Sequence, residues 1–146
     1  MSPVPVRRLN IGDEVQWRRL WAGFCEFYQT SVSEEVTQAT WQRLLMDRGI
    51  HGLCADLHGD MVGFVHYLFH PATWSAQDYC YLDDLYVASE ARGSGVGRAL
   101  IEGVYREADR MGAARVYWFT HHSNHAARRL YDRLGCETGF IRYHRQ

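Results

Sequence analysis

The stretch from Tyr81 to Gly112, YLDDLYVASEARGSGVGRALIEGVYREADRMG, constrains this chain more than any other. It opens with an apolar and aromatic run long enough for a buried strand. A short polar connection leads to Arg92-Gly93-Ser94-Gly95-Val96-Gly97, and a segment with helical periodicity follows. A strand feeding a glycine-rich turn that opens a helix makes an anion site, because the first-turn amides lack partners inside the helix and the helix dipole favours negative charge there. A phosphate-bearing ligand is thus the first expectation, and three patterns compete for it. A dinucleotide fingerprint needs G-x-G-x-x-G, but Arg98 stands where the last glycine would fall, and the turn comes late in the chain. A Walker-type loop needs G-K-[ST], which is missing. The third pattern, [Q/R]-x-x-G-x-[G/A], is met by Arg92-x-x-Gly95-x-Gly97. A glycine-rich helix start without a ligand is the plain alternative.

At 146 residues, with 47% hydrophobic and 23% charged side chains, the chain suits a single domain spanning residues 1–146. A net charge of −1 gives no field to recruit nucleic acid or an anionic membrane. No 18-residue apolar run and no apolar signal core occur, so the expected location is cytoplasmic. Cys25, Cys54, Cys80 and Cys136 are scattered, and they read as buried reduced thiols.

Val4 to Asn10 reads as a first strand, placed at an edge or strand start by Pro5. Asp13 is placed to cap a helix with Val15, Leu20, Trp21, Phe24, Phe27 and Tyr28 on one face. Ser33 caps a second helix carrying Val36, Thr40, Trp41, Leu44 and Leu45, which Gly49 stops. This aromatic helical pair reads as core packing or as a wall facing a substrate. From His51 the period becomes two: His51 to Leu57 and Met61 to Phe69 form a hairpin across His58-Gly59-Asp60, and Tyr79 to Val87 is the next strand. Asp83 and Asp84 interrupt that strand; adjacent carboxylates point to opposite faces unless a bulge re-aims one. A helix from Gly97 to Met111 buries Leu100, Ile101, Val104, Tyr105, Ala108 and Met111, with Gly112 as its left-handed cap. Ala114 to Thr120 forms a strand parallel to the one before that helix. Asn124 caps a last helix, Ala126 to Leu134, that Gly135 closes, and Thr138 to His144 forms a final strand. The order predicts an α/β chain with a mixed sheet.

These pieces, in this order, resemble the GNAT superfamily of acetyl-CoA-dependent N-acetyltransferases. The resemblance rests on LDDLYV (82–87), RGSGVGRAL (92–100), the N-x-x-A-x-x-L-Y-D-R-L-G run (124–135) and the hairpin strand around Met61–Val65, about the last 85 residues. It implies an acyl-CoA N-acyltransferase-like fold, a mixed, mostly antiparallel central sheet flanked by helices. It further implies that amides along Gly93, Ser94, Gly95, Val96, Gly97 and Arg98 cradle the pyrophosphate of acetyl-CoA, with Arg92 flanking. Leu85, Tyr86 and Val87 would pair with the pantetheine arm and polarise the acetyl carbonyl, and Asn124 would touch that arm or simply cap its helix.

In such enzymes the amine attacks the thioester directly in a ternary complex. Tyr131 falls where the family places the tyrosine that protonates the departing thiolate; the plain alternative is a packed core tyrosine. LDDLYV is most like the E-D-L-[YF]-V segment of diamine and polyamine acetyltransferases. Asp83, one methylene shorter, then matches the glutamate that receives the amine proton, directly or through water. Alternatively, Asp83 and Asp84 bind backbone amides at a bulge. His70-Pro71-Ala72-Thr73-Trp74 resembles a segment of the polyamine and thialysine-like subgroup and of a small fungal subgroup acting on amino acids and basic peptide tails. On that reading Trp74, Asp84 and Glu26 face a cationic amine, unless Trp74 is an exposed packing residue. His121, His122 and His125 cluster, and His66 and His70 are four apart, but no carboxylate or cysteine completes a ligand set, so no metal is expected.

The expectation is therefore transfer of acetyl from acetyl-CoA to the primary amine of a small molecule: a diamine, polyamine, lysine analogue or amino acid. The alternatives are acetylation of a protein's lysine or N-terminus, or a non-catalytic acetyl-CoA-binding module. The family often pairs the C-terminal region across subunits, which implies a homodimer.

Overall fold

The computed structural model describes residues 3–146. Five strands form one sheet in chain order: β1 (Val6–Arg8), β2 (His51–Leu57), β3 (Asp60–His70), β4 (Tyr79–Val87) and β5 (Arg115–Tyr117). The first four are antiparallel neighbours and β5 joins β4 in parallel. Helices α1 (Glu14–Phe27), α2 (Glu34–Leu45), α3 (Val96–Met111) and α4 (His125–Leu134) complete the fold. It is the expected α/β arrangement, a mixed and mostly antiparallel sheet flanked by helices.

The period-two pattern of β2 and β3 divides the interior into two cores. Leu53, Ala55, Val65 and Tyr67 meet Leu100, Ile101, Val104 and Ala108 of α3 on one face. Cys54, Met61 and Phe64 meet Trp17 and Leu20 of α1 and Trp41 and Leu44 of α2 on the other. Residues Met61 to Tyr67 are therefore all buried, as a central strand covered on both faces requires. Gly112 is the left-handed cap of α3, at φ 73°.

Several expectations need correction. Asp13 makes no side-chain cap on α1. Its buried carboxylate instead takes the Arg7 guanidinium at 2.8 and 2.9 Å, and Arg7 also reaches Asp56 at 3.1 Å, tying β1, α1 and β2 together. The capping falls to Asn10, whose side chain accepts from Gly12 N–H at the 3-10 turn Ile11–Asp13. The buried face of α1 centres on Trp17 and Leu20, which leaves Val15, Phe27 and Tyr28 exposed. Val15 lies two residues from Trp17, more than half a helical turn away. Val36 on α2 and Met111, in the last turn of α3, are likewise exposed. Cys25, Cys54 and Cys80 are buried, but Cys136 is exposed.

β1 and β5 are three residues each, shorter than the seven-residue runs Val4–Asn10 and Ala114–Thr120. Thr138 to His144 is not a strand, and Phe140, Ile141 and Tyr143 project into solvent. An alternating pattern says which side chains share a face but not which strand they will meet. Within one chain this segment meets none.

Candidate active site

The parallel pairing of β4 with β5 stops at Tyr81 and Tyr117. From Leu82 to Val87, β4 has no strand on that side, so the sheet opens there. Leu85 and Val87 pack toward the α3 core and Tyr86 toward the α1 core. The expected carboxylates sit at the mouth of this opening. A register shift on β4 sets His66 opposite Asp84 and Tyr67 opposite Leu82, leaving Asp83 as the extra residue of a bulge. The bulge re-aims the acid pair. Asp84 Oδ2 lies 2.9 Å from His66 Nδ1 and is mostly covered, whereas Asp83 is exposed. Although Asp83 keeps surface in contact with solvent, crowding around its carboxyl raises its pKa, partial burial first and the Asp84 charge second. The Asp84 charge also raises Cys25 and Tyr28, after burial in each case, which places both within its electrostatic reach.

A wall of rings on α1 faces these acids. Trp21 stacks on Phe24 at 5.3 Å, Phe24 meets Tyr86 edge-on at 6.2 Å, and Trp17 donates its indole N–H to His66 Nε2 at 3.1 Å. Trp21 Nε1 is buried with no hydrogen-bond partner among the described residues. Across the opening, Tyr131 of α4 packs edge-on against Trp118 at 5.5 Å, and burial pushes its phenol up to about 12, with Tyr28 adding to the shift.

Beyond the strand end, the chain turns through Ser89–Ala91 into the glycine loop. Gly93 (φ 84°) and Gly95 (φ 85°) adopt the left-handed backbone that only glycine takes without strain, and a Cβ at either would meet no protein atom within 4 Å. Ser94 Oγ donates to the Ala91 carbonyl and holds the turn. The first backbone bond of α3 runs from Ala99 N–H to Gly95 O at 3.1 Å. The amides of Val96, Gly97 and Arg98 precede it, with no side-chain cap and no acid in the first turn. Open space, donor amides and the positive end of a sixteen-residue helix fit the diphosphate of acetyl-CoA. Gly97 lets α4 approach, since a Cβ there would lie 3.1 Å from Leu130 Cδ2.

The remaining expected residues fall less centrally. Arg92 bends back, donating to the Val87 carbonyl at 3.1 Å and lying over the Phe27 and Tyr86 rings. Arg98 pairs with Glu102 at 2.7 Å. The Asn124 side chain does not cap α4; it donates to Thr120 Oγ1 at 3.3 Å, at the open end of the sheet. Trp74 is 90% exposed and Glu26 is exposed, so neither joins the acid pair. The sequence reading missed Trp17 and His66 as site residues. Their signal was present only as a tryptophan one turn before Trp21 and a histidine inside an apolar strand.

A sheet that parts beside an open glycine turn defines the acyl-CoA N-acyltransferase class of fold. The chain belongs to the Acetyltransferase (GNAT) family, whose profile matches residues 16–136, and is thus an acetyl-CoA-dependent N-acetyltransferase. It is 38% identical over 146 residues to the D-amino-acid N-acetyltransferase HPA3 of Saccharomyces cerevisiae, covering 97% of this chain and 90% of that one. The thialysine N-epsilon-acetyltransferase of Bos taurus is 34% identical over 77 residues, 53% of this chain and 45% of its own. A structure of AAC(6')-Iy in complex with the bisubstrate analog CoA-S-monomethyl-acetylneamine superposes with a TM-score of 0.85 at 19% identity, covering 99% of both chains, a likeness of fold.

Proposed function

We propose that the enzyme acetylates the primary amine of a small molecule, by direct attack in a ternary complex. Acetyl-CoA, when bound, supplies the activated acetyl group. The observation that carries the reading is the acid pair at the bulge, beside the opening of the sheet and facing the aromatic wall. An amine arrives as an ammonium and must lose a proton before it attacks. A carboxylate with a raised pKa is the better acceptor for that proton, which assigns the base to Asp83 and the binding of positive charge to Asp84.

In this reading amides of Val96, Gly97 and Arg98, with the left-handed turn at Gly93 and Gly95, hold the diphosphate. The free edge of β4 at Leu85 to Val87 pairs with the pantetheine arm and directs an amide at the acetyl carbonyl. Tyr131 keeps its proton through the physiological range and donates toward the leaving sulfur. A phenol at about 12 lies well above an ordinary thiol at ~8.5, so it stabilises the leaving thiolate by a hydrogen bond rather than by surrendering its proton. The partnerless N–H of Trp21 favours acceptors that carry their own hydrogen-bond acceptor, as an amino acid does.

Coenzyme A release from acetyl-CoA, measured over D- and L-amino acids, diamines, polyamines, lysine analogues and lysine-bearing peptides, tests the reading. Turnover of free amines above peptides is the expected result. Turnover of peptides alone would move the acceptor to proteins, and firm acetyl-CoA binding without any turnover would leave a binding module.

A homodimer and a cytoplasmic location belong to the same proposal. The exposed apolar segment after α4 supports the first. The second rests on the four cysteines, which are free thiols, and fractionation of cells expressing a tagged copy checks it.

A further inference from the structure

His66 is 2% exposed and lies in a box of rings: Phe64 stacks on it at 4.5 Å, with Trp21 at 5.7 Å and Trp17 at 6.0 Å. Its two nitrogens meet partners of opposite and fixed character. The Trp17 indole only donates, so Nε2, 3.1 Å away, must be the accepting nitrogen. The proton therefore sits on Nδ1 and is donated to Asp84 Oδ2 at 2.9 Å. A proton on Nε2 would set two N–H groups against each other among rings that offer neither an acceptor. Reversing the tautomer would set a lone pair against a carboxylate as well. The two bonds thus fix one tautomer of the ring by geometry alone.

We propose that Trp17 and His66 are positioning residues that act through Asp84. The two hydrogen bonds run in series from α1 through β3 to β4 and fix one oxygen of the Asp84 carboxylate. The other oxygen has no hydrogen bond among the described residues, and the side chain is 19% exposed, so it presents one aimed acceptor to the opening. The bulge completes the arrangement, because it sets Asp84 directly opposite His66 and turns Asp83 out to the open side. The ligand class is a primary ammonium, received at a fixed carboxylate before its proton passes to Asp83. This rests on the reading that the acid pair faces the acceptor amine.

The tautomer is tested directly in the wild-type protein. In ¹⁵N-histidine NMR at neutral pH, His66 should show a protonated Nδ1 and an unprotonated Nε2. An imidazolium, or a proton on Nε2, overturns the locked ring. Steady-state kinetics then test its role. His66→Leu should raise KM for the amine by about tenfold or more while KM for acetyl-CoA stays within about twofold. His66→Asn keeps a side-chain N–H near the position of Nδ1 and should recover most of the loss. His66→Gln places its amide nearer Nε2 and should not. An equal effect on both substrates, no effect, or equal behaviour of the Asn and Gln variants overturns the positioning role. A protein that turns over no amine refutes the proposed reaction instead, and the NMR result still decides the ring.

Discussion

At the scale of single residues, the proposed reaction asks opposite things of groups that lie close together. Tyr131 must hold a proton and Asp83 must accept one, and both shifts begin with burial. Tyr131→Phe keeps the ring packed against Trp118 and removes only the donor. The expected result is a fall in kcat of about tenfold or more with acetyl-CoA affinity nearly unchanged, read from kinetics and binding calorimetry. Asp83 offers a test with a sign. Its pKa is raised, in part by the Asp84 charge, so removing that charge lets the pKa fall back toward the ordinary carboxylate range. The pH–rate profile of Asp84→Asn should therefore show its acid limb moved to lower pH than in wild type, with one amine used for both so that its own ionisation cancels. An unmoved limb, or one moved upward, would remove Asp83 from the role of base. The acid pair was legible in the sequence as two carboxylates in an apolar strand. Which of them is covered was not, because that follows from a one-residue register shift against β3 and from a histidine on that neighbouring strand.

At the scale of elements, the glycine turn and α3 were the most legible part of the chain. Glycines at 93, 95 and 97, around the start of a strongly amphipathic helix, leave little freedom, and the structure starts that helix at Val96, one residue from the expected start. Gly95→Val should lower acetyl-CoA affinity by about a hundredfold or more in isothermal titration. The strain of a β-branched residue at φ 85° costs ~1–2 kcal/mol, and the new side chain projects into the space where the diphosphate is proposed to lie. Near-normal affinity would mean that the turn serves only the packing of α3. Ser33 caps α2 as expected, accepting from Val36 N–H at 3.2 Å, but the start of α1 was read less well, because an aspartate before a helix has two good uses. Asp13 serves an ion pair with Arg7, which lowers its pKa. A carboxylate whose pKa is lower in the folded state contributes stability that is complete above its unfolded value, ~3.9, and is lost as pH falls through the folded value. Arg7→Met should thus destabilise the fold at neutral pH by ~2–3 kcal/mol, below the ~3–5 of a fully buried pair because part of Arg7 meets solvent. Its stability should also fall less steeply on acidification below about pH 4 than that of wild type, as urea melts at a series of pH values would show.

At the scale of the whole molecule, the sheet ends on one side at β5, a three-residue edge strand, and the twelve residues after Leu134 form no element. The segment Thr138 to His144, expected as a strand, holds three large apolar side chains in solvent: Phe140 at 86%, Ile141 at 75% and Tyr143 at 85% exposed. An edge strand with free backbone groups and an unpaired strand-like segment on the same chain invite pairing between copies. Each large side chain buries roughly 150–250 Å² when covered, so three from each of two copies bring the proposed interface to about 1,000 Å² or more, the lower bound for a specific association. Light scattering on the purified protein should give about twice the chain mass of 17.0 kDa. A chain ending after Cys136 should give the monomer mass while keeping the helical content of the full protein, since the described core clusters draw no residue from beyond Leu134. Ile141→Lys, which leaves the backbone free to pair but sets a charge in the proposed interface, should shift the equilibrium toward monomer at micromolar concentration. A full-length chain that runs as a monomer at every concentration refutes the dimer. A truncated chain that remains dimeric moves the interface to another surface.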